Sequence, residues 1–130
     1  MLVLLIRTDK PEAELHIYDG DKKLAEVKWQ AHLQLAETLN SKIDEILNKS
    51  SISAKDLKSI VCYKGPGSFT GLRIGMSVAN AMAYAYDLPI VATTGKDWIQ
   101  AGIKKLAVGK TDKFALPKYD RPAITTHPRK

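Results

Sequence analysis

The sequence has one cysteine and few aromatic residues. Cys62 has no second cysteine with which to pair, which excludes an internal disulfide and suits the reducing cytoplasm. We therefore expect a cytoplasmic protein in which Cys62 is a small core residue. The 130 residues are 45% hydrophobic, which is enough for one compact domain with a real core and too little for two domains.

Long hydrophobic runs are missing as well. The opening apolar segment, residues 1–6, is too short for a signal peptide or a membrane span, and the polar residues 7–10 stop it abruptly. The segment is typical of a buried central strand, and no membrane contact is expected.

Residue patterns typical of metal and catalytic sites are also lacking. The three histidines, His16, His32 and His127, are far apart, and the sequence contains no His-x-x-x-His or His-Glu-x-x-His pair. We predict no metal site and no catalytic residue in this chain.

What the sequence does contain is a glycine-rich segment, GPGSFTGLRIG at residues 65–75, between an apolar strand predicted at 59–63 and a helix predicted at 72–86. The strand must end at this segment, because Pro66 has no amide hydrogen and glycine favours turns. A turn of this kind presents backbone amides and the positive end of a helix dipole, so it is a candidate anion-binding loop. The residues of this candidate loop are Gly65, Gly67, Ser68, Thr70 and Gly71.

The same segment has a structural interpretation. Its spacing differs from that of a nucleotide P-loop and of a dinucleotide fingerprint. No histidine or acid lies near Ser68 in the sequence to activate it as a nucleophile, so we favour Ser68 or Thr70 as the N-cap of the following helix.

Small residues continue from the loop into this helix at every fourth position. They are Gly67, Gly71, Gly75, Ala79 and Ala83. They lie along one side of the helix, where the backbone of a neighbouring element can approach closely. The other sides are largely apolar, which predicts a helix buried all round, between a sheet and either another helix or another protein.

The remaining elements follow from periodicity. Strands are predicted at 12–18 and 22–29, joined at Asp19-Gly20 by a two-residue hairpin turn. An amphipathic helix is predicted at 31–48, and its apolar face consists of Leu35, Leu39, Ile43, Ile46 and Leu47.

A capped turn at Ser53 and Asp56, a strand at 89–92 and a helix at 97–108 complete the chain. The order βββαβαβα predicts an α/β fold, with a mixed sheet of about five strands and helices packed on it.

The glycine-rich segment resembles the signature of the TsaB (YeaZ) family, which takes part in the biosynthesis of bacterial tRNA threonylcarbamoyladenosine. This resemblance implies one lobe of an actin-like ATPase (ribonuclease-H-like) fold. It also implies a non-catalytic subunit that dimerises with the catalytic TsaD and cooperates with the small ATPase TsaE. ATP and metal are then expected on the partner subunits, and none on this chain alone.

Other segments resemble the same family. They are residues 1–8, His32, residues 92–94 and residues 116–122. If the last of these corresponds to the end of the family's chain, most of a second lobe is missing between residues 95 and 116.

One departure from the family concerns the end of the first strand. The family has Ile-Asp-Thr there, and its acid helps to organise metal and phosphate, whereas this chain has Ile6-Arg7-Thr8. The change argues against intrinsic ATP hydrolysis. Three interpretations of Arg7 stay open: it holds a phosphate, it pairs with an acid on a partner, or it is a solvated strand end.

Charge is concentrated near the C-terminus. The chain has 20 Lys and Arg against 14 Asp and Glu, and because residues 1–95 contain 11 of each, residues 96–130 contain 9 against 3. We divide the chain into a folded lobe, 1–108, and a basic tail, 109–130. The tail contains Pro117, Pro122 and Pro128, and it either approaches tRNA phosphates or an acidic partner or is a solubilising end.

The two long helices, 31–48 and 71–86, are expected to offer an apolar surface to TsaD or to a second copy of the chain. The candidate contacts are His32, Leu35, Leu39, Ile43, Arg73, Met76, Ala79, Ala83 and Tyr84. Two rival functions stay open: a nucleotide-binding phosphotransferase or ATPase of the actin type, and a homodimeric module without a role in tRNA modification.

Overall fold

A computed structural model describes residues 1–112 as one mixed sheet with helices on both faces. The strands are β1 (Leu2–Arg7), β2 (Glu12–Asp19), β3 (Lys22–Gln30), β4 (Ser59–Tyr63) and β5 (Ile90–Thr93). The helices are α1 (Leu35–Lys49), α2 (Phe69–Ala85) and α3 (Trp98–Ala107), and 3-10 turns occupy His32–Gln34 and Ala54–Asp56. None of the helices in residues 1–112 is long and apolar enough to cross a membrane.

The five strands lie in the order β3-β2-β1-β4-β5. The β1–β2 and β2–β3 pairs are antiparallel, and the β1–β4 and β4–β5 pairs are parallel. The segment predicted to be a central strand is therefore β1, and side chains 4–6 are fully buried. The prediction of a mixed sheet of about five strands is confirmed.

Two apolar clusters lie on the two faces of the sheet. Leu4 and Ile6 of β1 belong to the cluster under α1 and α2, while Val3 and Leu5 belong to the cluster that contains Trp98 of α3. Neighbouring residues of a strand point to opposite faces, so a strand stretch buried on both faces must be apolar at every position, as residues 2–6 of β1 are.

Most predicted boundaries lie within a few residues of the observed ones. The two-residue hairpin loop lies at residues 20–21, one residue later than predicted, and Gly20 adopts the left-handed φ of +63°. The helix predicted from residue 31 begins with the 3-10 turn, so α1 starts at Leu35, but its predicted apolar face is buried as expected. The capping box at Ser53 and Asp56 is present.

Cys62 is buried in β4, as the sequence predicts. Burial raises the pKa of its thiol to about 12. It is therefore a core side chain with little thiolate at neutral pH.

The face of β2 that carries Glu14 and His16 is less exposed than these polar residues suggest. Glu14 and His16 are 9% and 4% exposed, and the ring of Trp98 lies edge-on to the ring of His16, with 5.9 Å between their centroids. Nε2 of His16 is 3.0 Å from Oε1 of Glu14, and Nζ of Lys10 is 3.5 Å from Oε2 of Glu14. Nε2 of His16 and the Glu14 carboxylate are thus paired with each other, while Nδ1 of His16 is buried and has no hydrogen-bond partner within residues 1–112.

The helix α2 is not buried all round, contrary to expectation. It begins at Phe69, three residues earlier than predicted, and packs its small-residue side against the sheet. Its outer side is open: Phe69 is 52% and Tyr84 is 91% exposed. One sheet and one neighbouring helix cover only part of a helix surface, so the rest faces outward.

The small residues bring α2 very close to β1. A Cβ atom added to Gly71 would lie 2.1 Å from the backbone oxygen of Thr8, and one added to Gly75 would lie 2.1 Å from the hydroxyl oxygen of Thr8. Neither distance is compatible with van der Waals contact. Glycine is thus required at both positions, and the prediction of a close backbone approach is confirmed.

Replacing Gly71 with alanine is expected to destabilise the fold by about 1–3 kcal/mol, because the added methyl group meets a backbone atom in a packed interior. Gly75→Ala is expected to destabilise the fold as well, because the Thr8 hydroxyl that the added methyl group meets is buried and donates a hydrogen bond to the carbonyl of Gly71. Urea unfolding followed by circular dichroism measures both. The control is Ser77→Ala on the exposed side of α2, which is expected to stay within about 0.5 kcal/mol of the parent protein. A stability of Gly71→Ala equal to that of the control would contradict the close approach.

The free energy of unfolding is expected to decrease at low pH, because Glu14 becomes protonated there. The hydrogen bond with His16, helped by the charges of His16, Lys10 and Lys28, lowers the pKa of Glu14 from 4.5 to about 2 despite burial. A carboxylate with a lowered folded-state pKa stabilises the fold above its unfolded pKa and loses that contribution as the pH falls through the folded value. The difference in unfolding free energy between the parent protein and Glu14→Gln should therefore shrink between pH 5 and pH 2.

The matched control for this measurement is the exposed Glu37, whose replacement by glutamine should give a curve parallel to that of the parent protein. Parallel curves for Glu14→Gln as well would show that the Glu14 carboxylate contributes nothing in this pH range.

Candidate functional site

A cleft of about 440 Å³ opens at the C-terminal end of β1, and we name it the β1-end cleft. Three segments line it: the turn after β1 at residues 8–11, the start of the first helical region at residues 31–35, and residues 68–74 around the start of α2. The parallel strand β4 leads into the third segment, which places the glycine-rich loop beside the end of β1.

The glycine-rich loop is fastened to the end of β1 by hydrogen bonds. The amide of Ser68 donates to the carbonyl of Asp9 over 3.2 Å, and the hydroxyl of Thr8 donates to the carbonyl of Gly71 over 2.7 Å. The hydroxyl oxygen of Ser68 accepts from the amide of Gly71 over 3.4 Å. Ser68 is therefore the N-cap of α2, as the structural interpretation of the sequence predicts.

Arg7 is paired inside the chain. Its Nε and Nη2 atoms donate to the two carboxylate oxygens of Asp9, over 2.7 and 3.2 Å, and its guanidinium lies 3.9 Å from the centre of the Tyr63 ring. Burial disfavours the charge, but the hydrogen bond and the charge of Asp9 outweigh it and raise the pKa of Arg7. The interpretation of Arg7 as a solvated strand end is wrong, and its acidic partner lies in its own chain.

Sequence reasoning missed Asp9. This carboxylate is 8% exposed and packs against the loop: a Cβ atom added to Gly67 would lie 2.3 Å from the Cβ of Asp9. A signal was available, because residues two apart at a strand end tend to share a side, and Arg-x-Asp is an ion-pair spacing there.

The candidate anion-binding loop is only partly assembled around the cleft. Ser68, Thr70 and Gly71 line the β1-end cleft. Gly65 instead accepts a hydrogen bond from the hydroxyl of Thr94 at the end of β5. Anion binding by this loop remains a prediction, and the carboxylate of Asp9 lies directly against it.

His32 also lies at the rim of this cleft. It is exposed, with a left-handed φ of +42°, and its amide and that of Ala31 both donate to the carbonyl of Pro11, over 3.1 and 2.8 Å. Within residues 1–112, no group of three or more His, Cys, Asp and Glu side chains is placed to hold a metal ion.

Six of the nine predicted partner contacts are inside the protein. They are Leu35, Leu39, Ile43, Met76, Ala79 and Ala83, each at most 9% exposed. The prediction that they form an exposed apolar surface is wrong, because α1 and α2 use these sides to cover the sheet. His32, Arg73 and Tyr84 are exposed and remain candidates.

The accessible apolar surface lies instead on the outer side of the helices. Two adjoining depressions of about 340 and 360 Å³ share Ser77 and Val78, and together they form what we call the α1–α2 groove. Its lining comes mainly from α2, with two residues from α1. The lining residues are Ala36, Asn40, Phe69, Thr70, Arg73, Ile74, Ser77, Val78, Ala81, Met82, Ala85 and Tyr86.

The start of the predicted tail belongs to the sheet. The amide of Asp112 donates to the carbonyl of Ile90 over 2.7 Å, and the amide of Ala92 donates to Oδ2 of Asp112 over 2.7 Å. Residues 109–112 are therefore attached to the folded lobe, four residues beyond the predicted boundary. Residues 113–130, with the tail prolines, His127 and the family-like segment 116–122, lie outside the described residues.

Comparison with known sequences identifies a matching family and several relatives of this chain. The family described as "TsaD: tRNA N6-adenosine threonylcarbamoyltransferase" matches residues 29–99. The tRNA threonylcarbamoyladenosine biosynthesis protein TsaB of Bacillus subtilis is 39% identical over 59 residues, which are 45% of this chain and 26% of that protein. TsaB of Haemophilus influenzae is 33% identical over 76 residues, 58% of this chain and 31% of that protein.

A tRNA N6-adenosine threonylcarbamoyltransferase, that of Geotalea uraniireducens, is 33% identical over 89 residues, 68% of this chain and 24% of that protein. The chain thus spans less than a third of the length of each of these relatives.

Solved structures give the fold. YeaZ from Pseudomonas aeruginosa superposes with a TM-score of 0.67 at 20% identity, over 72% of this chain and 43% of that chain. RuvC from Thermus thermophilus superposes with a TM-score of 0.53 at 11% identity, over 95% of this chain and 86% of that chain. These similarities confirm an actin-like, ribonuclease-H-like lobe. Because the family model covers more than half of the chain, the chain belongs to the family described as TsaD: tRNA N6-adenosine threonylcarbamoyltransferase, and within its matched part it is similar to proteins named TsaB as well as to transferases of that name.

Proposed function

We propose that this chain is a non-catalytic partner subunit in the synthesis of tRNA N6-threonylcarbamoyladenosine (t6A), which dimerises with a TsaD-like catalytic subunit and stabilises it. The observation that carries the proposal is the α1–α2 groove, an exposed apolar surface formed by the outer side of α2. Membership of the family described as TsaD, together with the similarity to TsaB, supports a role in this pathway.

The groove has the composition of a protein interface. Phe69 is 52% and Tyr86 is 45% exposed, and the guanidinium of Arg73 lies 5.3 Å from the centre of the Phe69 ring. Aromatic residues and arginine contribute most to binding energy at protein interfaces, and exposed apolar patches of this kind mark interaction sites. The exposed Tyr84 extends the same side of α2.

The partner that we assign is a TsaD-like chain. The family match to TsaD spans residues 29–99, which include both helices of the α1–α2 groove. A related lobe presents two equivalent helices, so the two chains can meet helix layer to helix layer, in the manner of an isologous pair. A second copy of this chain would compete for the same groove, so a homodimer is the alternative assembly at this surface.

The chemistry and the other partners belong to the rest of the complex. A TsaE-like ATPase, ATP and metal are assigned to the partner subunits. The tRNA is reached through TsaD or through the basic residues after 112. The absence of a catalytic role is supported by Arg7, a cation in the place of the family's acid, whose charge is used to hold Asp9.

Replacing Ala81 with arginine is expected to weaken binding to a TsaD-like subunit at least about tenfold, because a long cation then projects from the floor of the α1–α2 groove. The residue is exposed, so the melting temperature should stay close to that of the parent protein. Calorimetry or biolayer interferometry with purified TsaD measures the affinity.

The matched control is Ala107→Arg, the same change at an exposed position of α3 on the opposite face of the sheet. It should leave the affinity unchanged. Reconstituted t6A synthesis should increase when the parent chain or Ala107→Arg is added and should not increase with Ala81→Arg. Equal affinity of the two variants for TsaD would refute the groove as the docking surface.

The rival function, a nucleotide-binding phosphotransferase or ATPase, requires the β1-end cleft to accept Mg-ATP. The carboxylate of Asp9 against the loop opposes the phosphates at that place. Titration calorimetry of the chain with Mg-ATP is therefore expected to give no binding at micromolar concentrations. A micromolar dissociation constant would favour the rival and count against a purely scaffolding subunit.

A further inference from the structure

The carboxylate of Asp9 lies where the glycine-rich loop turns into α2. Its side chain is 6% exposed, and both of its oxygens accept hydrogen bonds from Arg7, over 2.7 and 3.2 Å. We call this pair the Arg7–Asp9 clamp. The clamp lies against the glycine-rich loop, whose sequence has the features of an anion-binding turn.

Asp9 fills the space directly in front of that turn. A Cβ atom added to Gly67 would lie 2.3 Å from the Cβ of Asp9 and 2.8 Å from its Oδ2, so only glycine leaves room for the carboxylate. The backbone of Asp9 is joined to the same place, because its carbonyl accepts the amide of Ser68 over 3.2 Å. A free phosphate or carboxylate cannot occupy this volume while Asp9 does.

The clamp is itself held in place from the other side. The guanidinium of Arg7 lies 3.9 Å from the centre of the Tyr63 ring, and the Tyr63 hydroxyl donates to the carbonyl of Pro66 over 3.0 Å. Tyr63 therefore links the cation to the loop. A cation stacked on a ring and bound to both oxygens of one carboxylate has little freedom to turn toward another anion.

The negative charge of Asp9 opposes the binding of an external anion, as the volume of its side chain does. The first turn of α2 carries no acidic side chain, and Asp9, in the turn after β1, places a carboxylate against Gly67 just before that helix turn. A phosphate that approached the loop would be repelled by this carboxylate at short range and would have to compete with it for Arg7. Both the repulsion by Asp9 and the competition for Arg7 oppose the binding of an external anion.

We propose that Asp9 is a built-in anion that occupies the glycine-rich loop, and that Arg7 is the positioning residue that holds it there. The loop is thereby closed to external phosphate and serves to fasten β1 to α2. This inference goes beyond the proposed function, since it concerns the isolated chain and holds whether or not the α1–α2 groove binds a TsaD-like subunit.

The test is to empty the site and offer inorganic phosphate. In Asp9→Ala the volume is vacated and the guanidinium of Arg7 loses its partner, so phosphate should bind and stabilise the fold. Thermal unfolding in increasing phosphate, with sodium chloride keeping the ionic strength constant, should show the melting temperature rising by about 4 °C for each tenfold increase above the dissociation constant.

Two proteins serve as controls. The parent protein and the double variant Arg7→Ala/Asp9→Ala should show only the smaller, general stabilisation that phosphate gives to proteins. A phosphate response of the parent protein as large as that of Asp9→Ala would overturn the proposal, because the loop would then be open with Asp9 present. A response of Asp9→Ala no larger than that of the double variant would overturn it too.

If Asp9→Ala does not fold, Asp9→Ser takes its place, since the shorter hydroxymethyl side chain vacates the volume of the carboxylate and removes its charge. Its melting temperature should then respond to phosphate more strongly than that of the parent protein. An equal response would contradict the proposal.

Discussion

The close approach of α2 to the end of β1 is the contact on which the rest of this lobe depends. The hydroxyl of Thr8 donates to the carbonyl of Gly71, the backbone of Thr8 lies directly against Gly71, and the Thr8 side chain lies directly against Gly75. This contact fixes the direction of α2 across the sheet. It thereby decides which side of α2 covers the core, which side is left outside, and where the glycine-rich loop meets the turn after β1.

The two functional surfaces are therefore consequences of one packing arrangement. The side of α2 that carries glycine and alanine is committed to the sheet, so the opposite side, with Phe69, Arg73 and Tyr84, is the one available to another protein. At the start of the same helix, the close approach brings Asp9 against Gly67. The exposed surface of the α1–α2 groove and the glycine-rich loop filled by Asp9 therefore both result from the position of α2.

The sequence predicts the fold well because its information is local. Several local patterns each determine an element or a contact without knowledge of the rest of the chain. They are the alternation of apolar and polar residues, the hairpin turn, the Ser53 capping box and the small residues at every fourth position. The site was predicted less well. Apolar periodicity marks the buried side of a helix, and it cannot distinguish burial against the chain's own sheet from burial against a partner, which is why Leu39 and Ala79 were assigned to an interface. The pairing of Arg7 with Asp9 depends on how the chain turns after β1, and no periodic pattern records that turn.

The contact of Asp112 with β5 has a consequence for the solubility of this lobe. Among residues 1–112, β5 is the last strand on its side of the sheet, and an unpaired strand edge invites other chains to add to it. Asp112 uses its amide on the carbonyl of Ile90 and its carboxylate on the amide of Ala92, so one residue occupies two of the edge's hydrogen-bonding positions. Asp112 thus occupies part of the β5 edge that could otherwise pair with another chain. A variant that ends before residue 112 is expected to expose these hydrogen-bonding groups of β5 to edge-to-edge association.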